Sequence, residues 1–266
     1  MTLSIPDFSY SCYSDRGPVR QCNEDSVHVV PELGLFVLAD GMGGHQAGDV
    51  ASATAVEVIE DYIRKSLPSI MEMDGVDGSS EFIQLALIEA LKAANRTILR
   101  LSDENPKLSG LGTTIVCGLL IGRYLLATHA GDSRLYSLKN HQIDQMTSDH
   151  SLYQEYIDEY GEADETIPKN IVTRVLGNSD ACVPEVIMHY VEPGEVFFCT
   201  SDGVHDSLSD KELISILDAD QSLSKQAHQL VNRAHQNGNE DNASVIIIRP
   251  GEKSSMLANL RNRLFG

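Results

Sequence analysis

Acidic side chains stand close to glycine at four places in the chain: Asp40 in LADGMGG, Asp132 in HAGDSR, Asp202 in CTSDGVHD and Asp241 in GNEDNAS. Asp206 follows Asp202 by four residues, and Glu24 with Asp25 closes the segment RQCNED, four residues after Arg20. Each of the four lies where a strand-like run meets a glycine-bearing turn. A strand end fixes the direction of a carboxylate, and a nearby glycine lets backbone carbonyls approach a bound ion. All-oxygen ligand sets of this kind suit hard divalent cations such as Mg²⁺, Mn²⁺ and Ca²⁺. Asp-Gly is equally a common turn dipeptide. Taken singly, each position reads as a turn, and spacing along the chain does not show that they meet.

The elements that would position these groups follow from hydrophobic periodicity. Strand patterns cover Phe8 to Ser14, Ser26 to Val30 and Gly34 to Ala39. A helix is expected over about Ala47 to Lys65, with Val50, Ala51, Ala55, Val58, Ile59 and Tyr62 on one face. Met71 to Ser80 reads as a loop, and a second helix runs from about Glu81 to Leu101, carrying Phe82, Leu85, Leu91, Ala94 and Ile98. Strands return at Thr113 to Leu120, Tyr124 to His129, Ser133 to Leu138 and Gln142 to Met146, with Lys139-Asn140-His141 as a hairpin turn. Ser148 or Asp149 is expected to cap a short helix ending at Tyr160. Strands at Glu185 to Val191 and Glu195 to Thr200 precede helices near Asp210 to Leu217 and Ser222 to Asn237, and Ala243 to Ile248 forms a last strand. Successive strands with paired helices predict an α+β arrangement of antiparallel sheets with helices outside. No linker or repeat divides the chain, which predicts one domain over residues 1–250 followed by a tail at 251–266.

Read together, the segments SDRGPVRQCNEDS, LADGMGGHQAGDVAS, LGTT, AGDSRLY, MTSDHSL, VTRVLG, TSDGVHD and NEDNASVI resemble, in order and over nearly the whole chain, the bacterial branch of the metal-dependent protein phosphatases, the type-2C-like serine/threonine enzymes. The resemblance implies a four-layer α-β-β-α sandwich with metal ions in a cleft at one end. It implies two Mn²⁺ or Mg²⁺ ions, bridged by Asp40. The Gly41 carbonyl would bind one of them, Asp202 and Asp241 would hold the first, and Glu24 would reach the second directly or through water. Asp25 would stand behind these ligands. Asp132 and Asp206, with Asp202, match a weaker third metal site, and Arg20 would grip the substrate phosphate. The implied reaction is hydrolysis of phosphoserine and phosphothreonine by direct attack of a metal-bridging hydroxide, reversing a bacterial serine/threonine kinase.

Physical reasons for such a site stand beside the resemblance. A phosphate monoester dianion repels an anionic nucleophile, so positive charge must come first, and paired divalent ions supply it while lowering the pKa of a bound water. The planar fork of arginine suits two phosphate oxygens. Eukaryotic relatives commonly carry a histidine where this chain has Met42, which cannot donate a proton. The leaving-group acid is then either a water or His45. Ser148 to Ile171 corresponds to the flap of bacterial relatives. It carries Asp149, Glu155, Asp158, Glu159, Glu162, Asp164 and Glu165, which could select basic sequences around the phosphorylated residue. The tail has Leu257, Leu260 and Leu264 at helical spacing, suiting either a terminal helix or a docking segment.

Composition narrows the alternatives. A net charge of −19 disfavours nucleic-acid and anionic-membrane partners. The longest apolar run, Ile115 to Ala130, is broken by Arg123 and His129, so no membrane span is expected. Five cysteines without a C-x-x-C pair fit a reducing cytoplasm, and a monomer is expected. Cys117 and Arg123 reproduce the C-x₅-R spacing of cysteine phosphatases, but inside an apolar run that would raise the thiol pKa. A calcium-binding loop ending in glutamate is absent from the sequence. A catalytically dead adaptor would lack Arg20 or the aspartates, all of which are present. A phosphatase dedicated to one regulatory protein would look the same in sequence.

Overall fold

The computed structural model describes residues 4–43, 47–72, 76–162, 164, 166–178 and 184–251. His45, Glu165, Cys182 and the tail leucines lie outside the described residues. Two antiparallel sheets are stacked face to face. The first has the order β1 (Phe8–Asp15), β11 (Ala243–Pro250), β10 (Val196–Thr200), β7 (Arg134–Lys139), β8 (Gln142–Gln145). The second runs β2 (Asp25–Val30), β3 (Leu35–Met42), β5 (Ile115–Ile121), β6 (Tyr124–Ala130), β9 (Val186–Tyr190), with β4 (Gly112–Thr113) paired to β3.

Alternation along the strands builds three apolar layers. In β3, Leu35, Val37 and Ala39 face outward to the helices, while Phe36 and Leu38 face the other sheet. In β10, Phe198 turns outward and Phe197 and Cys199 turn inward. The inner layer is completed by Val116, Leu120, Leu125, Leu135, Ile246 and Ile248. Helices α1 (Ala47–Met71) and α2 (Val76–Glu104) cover the second sheet. Helices α5 (Asp210–Leu217) and α6 (Leu223–Gln236) cover the first. Two further helices are α3 (Leu152–Tyr160) and α4 (Asp202–His205). This is the expected α-β-β-α sandwich.

Most predicted elements recur within a few residues, and the departures have identifiable causes. Helix α1 runs past Lys65 and through Pro68, because Leu67, 1% exposed, continues its buried face. Part of the expected loop at Met71 to Ser80 is helical from Val76. Glycine in a helix costs only about 1 kcal/mol, and the buried stripe of Ile83, Leu87, Leu91, Ala94 and Ile98 sustains α2. Phe82 and Leu85 fall off that stripe and are 46% and 51% exposed. Ser151, rather than Ser148 or Asp149, caps α3 by accepting from the Gln154 N–H, and Gly161 closes it in the left-handed region. The β7–β8 hairpin turns on Asn140 and His141, with φ of 51° and 61°, as a two-residue turn of that hand requires.

Candidate active site

The inner layer changes chemistry at one end without changing its geometry. A step of two residues along each strand moves from apolar to polar on the same face. Leu38 leads to Asp40, Val116 to Thr114, Cys199 to Ser201, Ile246 to Ser244, Val27 to Asp25 and Leu135 to Ser133. Asp25 and Asp40 lie directly opposite each other across the β2–β3 pair. The Asp40 backbone is fixed from both sides. Its carbonyl accepts from the Thr113 hydroxyl at 2.9 Å and the Thr114 N–H at 2.8 Å, while its N–H donates to Thr114 Oγ1 at 3.2 Å. Thr114 and Ser133 share a hydrogen bond of 2.7 Å between hydroxyls. Ser201 donates to Asp25 Oδ2 at 2.9 Å, and its own oxygen accepts from the Ser244 N–H at 3.0 Å. These hydroxyls are the sequence's missed contribution: LGTT, TSD and NAS each hold one beside an aspartate.

A cleft of about 470 Å³ opens at this end, lined among others by Arg20, Glu24, Asp40, Gly41, Asp132, Asp202, Asp241 and Asn242. Close packing of glycines shapes its wall. A side-chain carbon at Gly41 would stand 2.0 Å from the Gly48 carbonyl oxygen, and one at Gly48 would stand 2.7 Å from Glu24 Oε1. Only glycine at both positions leaves room for Glu24.

The carboxylates crowd one another. Burial pushes Asp40 well above the usual carboxylate range, and Asp25, Asp202, Asp132 and Asp241 add to the shift. Burial, then Asp132, Asp241 and Asp25, raise Asp202 to about 7. Asp25 rises to about 6, chiefly by burial, and its Oδ1 is buried with no hydrogen-bond partner. Burial likewise raises Asp132, reinforced by Asp149 and Asp206. A cluster of oxygens that resist sharing negative charge is a site that favours divalent cations. Among the described residues, no three His, Cys, Asp or Glu side chains enclose an ion unaided.

The sequence profile described as protein phosphatase 2C matches residues 18–242, from just before Arg20 to just past Asp241. The chain belongs to the protein phosphatase 2C family. It is similar to the serine/threonine phosphatase Stp of Listeria monocytogenes, 31% identical over 243 residues that cover 88% of this chain and 93% of that protein. Among solved structures it resembles the catalytic domain of the serine/threonine phosphatase PstP in complex with two manganese ions. That match has 31% identity and TM-score 0.79, covering 94% of this chain and 100% of that one. It also resembles Stp1 of Staphylococcus aureus, with 27% identity and TM-score 0.83, covering 95% and 98%.

Within this 2C-family fold the predicted site residues divide. Arg20, Glu24, Asp40, Gly41, Asp132, Asp202 and Asp241 line the cleft. Asp206 does not line it. It sits one turn after Asp202, as the C-cap of α4, with its side chain 72% exposed, and it acts on Asp132 and Asp202 through its charge. Arg20 forms an ion pair with Asp241, Nη2 to Oδ2, at 2.5 Å. Sequence spacing gave no sign of that pairing. Guanidinium has five donors, so this pair does not exhaust it. Cys117 is buried in β5, and burial pushes its thiol far above the ordinary range. It is no nucleophile.

The described part of residues 148–171 is tied down more firmly than a solvated loop. Leu152 N–H donates to the Ile171 carbonyl and Thr173 N–H to the His150 carbonyl, both at 2.8 Å. The His150 ring stacks on His129 with centroids 4.4 Å apart. Arg134 grips Asp149 with Nε at 2.9 Å and Nη2 at 2.7 Å. Asn170 and Val172 line the cleft. The predicted acidity is partly spent on structure, since Glu155 accepts from Thr173, Asp158 from Gln154 and Asp164 from Thr166. Among the described residues, no helix is long and apolar enough to cross a membrane.

Proposed function

We propose that this protein phosphatase removes phosphate from phosphoserine and phosphothreonine, with Asp40, the Gly41 carbonyl, Asp202, Asp241 and Glu24 around two divalent ions, Mn²⁺ or Mg²⁺. The observation that carries this reading is convergence. Carboxylates from separate segments, with Arg20, line one cleft, and the family profile spans all of them, from residue 18 to residue 242. The Listeria relative is a serine/threonine phosphatase and the PstP complex holds two manganese ions, which supports the same substrate and cofactor class here.

Bound divalent ions supply positive charge to the phosphate and ionise a water near neutral pH. The chain's own residues do the rest. The threonine pair at 113–114 fixes Asp40, and Asp25 and Ser201 back it from behind. Arg20 offers a planar fork to phosphate oxygens, exchanging or sharing its contact with Asp241. Attack is direct, without a covalent phosphoenzyme. Met42 lines the cleft and carries no exchangeable proton, so the leaving oxygen takes its proton from water or from His45. Asp132, Asp202 and Asp206 would hold a weaker third ion, with Asp206 reaching it from its exposed position beside the cleft. The reading extends to one domain over residues 1–250, a cytoplasmic monomer, and substrates supplied by a bacterial serine/threonine kinase.

The test is hydrolysis of p-nitrophenyl phosphate and of a phosphothreonine peptide, with Mn²⁺ or EDTA, by wild type and Asp202→Asn. Turnover that requires metal and is nearly lost in the variant is expected. Chelator-insensitive turnover would refute the reading.

A further inference from the structure

The loop that brings Arg20 to the cleft, between β1 and β2, has few backbone hydrogen bonds of its own, yet it must aim a side chain at phosphate. Asn242 supplies what the loop lacks. Its side-chain amide donates from Nδ2 to the Arg16 carbonyl at 2.8 Å and to the Cys22 carbonyl at 3.0 Å. Its Oδ1 accepts from the Glu24 N–H at 2.9 Å. Both amide hydrogens and the oxygen are therefore used, and all of them go to one loop, at residues 16, 22 and 24. Asn242 is only 5% exposed. Its own N–H donates to Asp241 Oδ1 at 2.7 Å, while Asp241 Oδ2 receives Arg20. The carboxylate next in sequence is thus held between Asn242 and the arginine that the same loop carries.

We propose that Asn242 is a positioning residue that clamps the Arg16–Glu24 loop to the start of β11 and thereby sets where Arg20 meets the substrate phosphate. This rests on the phosphatase reading of the cleft. Three hydrogen bonds from one rigid, buried amide locate the loop at three points, so Arg20 swings only about its own side-chain torsions. Without the clamp the loop keeps the Arg16 contact to the Gln21 carbonyl, the Asn23 contact to the Ser14 hydroxyl and the Gly41 N–H on the Glu24 carbonyl, but at Arg20 itself it keeps only the pair with Asp241. That tie is an exposed ion pair worth little, and it is lost whenever Arg20 turns to substrate. Arg16 and Cys22 are exposed residues, so their carbonyls, once released, would turn to water.

Two readouts test this. The first uses trypsin on metal-free protein, cleaving after Arg16 and Arg20. Asn242→Ala is expected to speed cleavage at these two sites about tenfold, with other sites unchanged, as local release predicts. The second is kinetic, with p-nitrophenyl phosphate and Mn²⁺. The KM of Asn242→Ala is expected to rise about tenfold while kcat falls less, the pattern of lost substrate binding. In an Arg20→Ala background the same substitution should change KM by less than about twofold, because residues acting as one unit are not additive.

Unchanged cleavage at both arginines, or KM effects that multiply in the double variant, would overturn the proposal. If Asn242→Ala does not fold, Asn242→Asp keeps the volume and the acceptor for Glu24 while removing both donors, and the same two results are expected. Failure of both variants to fold would assign Asn242 to the fold alone and refute the positioning role. Absence of Mn²⁺-dependent turnover in wild type would refute the phosphatase reading instead, while the trypsin result still reports on the clamp.

Discussion

The two ends of the inter-sheet layer are built from the same strands and differ only in what the inward positions carry. In the body, Phe36, Leu38, Val116, Phe197, Cys199, Ile246 and Ile248 pack hydrocarbon against hydrocarbon. Two residues further along, the same face presents Asp40, Thr114, Ser201 and Ser244, with Asp25 and Ser133 beside them. One end stabilises the fold, and the other taxes it. A fully buried leucine or phenylalanine contributes roughly 1.5–3 kcal/mol. Each carboxylate at the other end resists ionisation because burial and its neighbours oppose the charge. The sandwich thus keeps its stability in the body and places its chemical strain where ions and substrate can relieve it, as functional sites commonly do.

The comparison can be broken by exchanging what each end does. Asp202→Asn should lower Mn²⁺-dependent kcat/KM by about 10³-fold or more, the loss typical of removing a principal electrostatic group. In EDTA it should make the protein more stable at pH 7.5. Phe197→Ala, in the body, should cost about 3–5 kcal/mol in urea unfolding. Saturating Mn²⁺ should leave that difference unchanged. If metal rescued Phe197→Ala, or if Asp202→Asn destabilised the metal-free protein, the division between the ends would fail.

Acidity sharpens it further. Asp202 and Asp25 have folded-state values of about 7 and about 6 against an ordinary 3.8. Groups raised in this way contribute stability below the ordinary value and lose it as pH rises through the folded value. Metal-free protein should therefore lose stability from these groups between about pH 4 and pH 7. Asp202 is partly exposed, so its share is discounted from the full shift to about 2 kcal/mol. Urea midpoints in EDTA at pH 4.5 and 7.5 check this, and Asp202→Asn should flatten the difference.

A smaller effect is expected at Gly118, where an added side-chain carbon would stand 2.2 Å from the Phe36 ring. Gly118→Ala should cost about 1–3 kcal/mol by overpacking, read by thermal unfolding, with kcat little changed. The smallest concerns the flap. Neutralising Glu159 and Glu162 should slow basic phosphopeptides by about threefold relative to acidic ones, as expected for exposed, screened charges. Equal slowing of both peptides would remove the flap from substrate selection.

Much of this was legible before folding was considered. The continuous apolar runs in GLFVLAD and SVIII specified strands with two buried faces. The lysine-asparagine-histidine turn marked its hairpin, and the aspartate motifs indicated a cleft only through their joint resemblance to the phosphatase family. Less legible were elements whose signal is not periodic. Helix α4 is four residues long and leaves no pattern, and the start of α2 is hidden by glycines. Asn242, Thr113, Thr114 and Ser201 are ordinary polar residues in sequence, and only their hydrogen bonds distinguish them.

The sequence by itself determined strand parity, the order of the motifs and the carboxylate character of the groups at the cleft, because these depend on short-range periodicity and side-chain type. Tertiary structure alone decided that β11 lies between β1 and β10 and β3 beside β5, which brings Asp241, Asp202, Asp40 and Glu24 to one cleft. It also decided that Arg20 pairs with Asp241, that Asp149 is neutralised by Arg134, and that Asp206 stays in solvent. Those outcomes depend on contacts between residues far apart in the chain, set by how whole sheets and helices pack, and no local pattern encodes them.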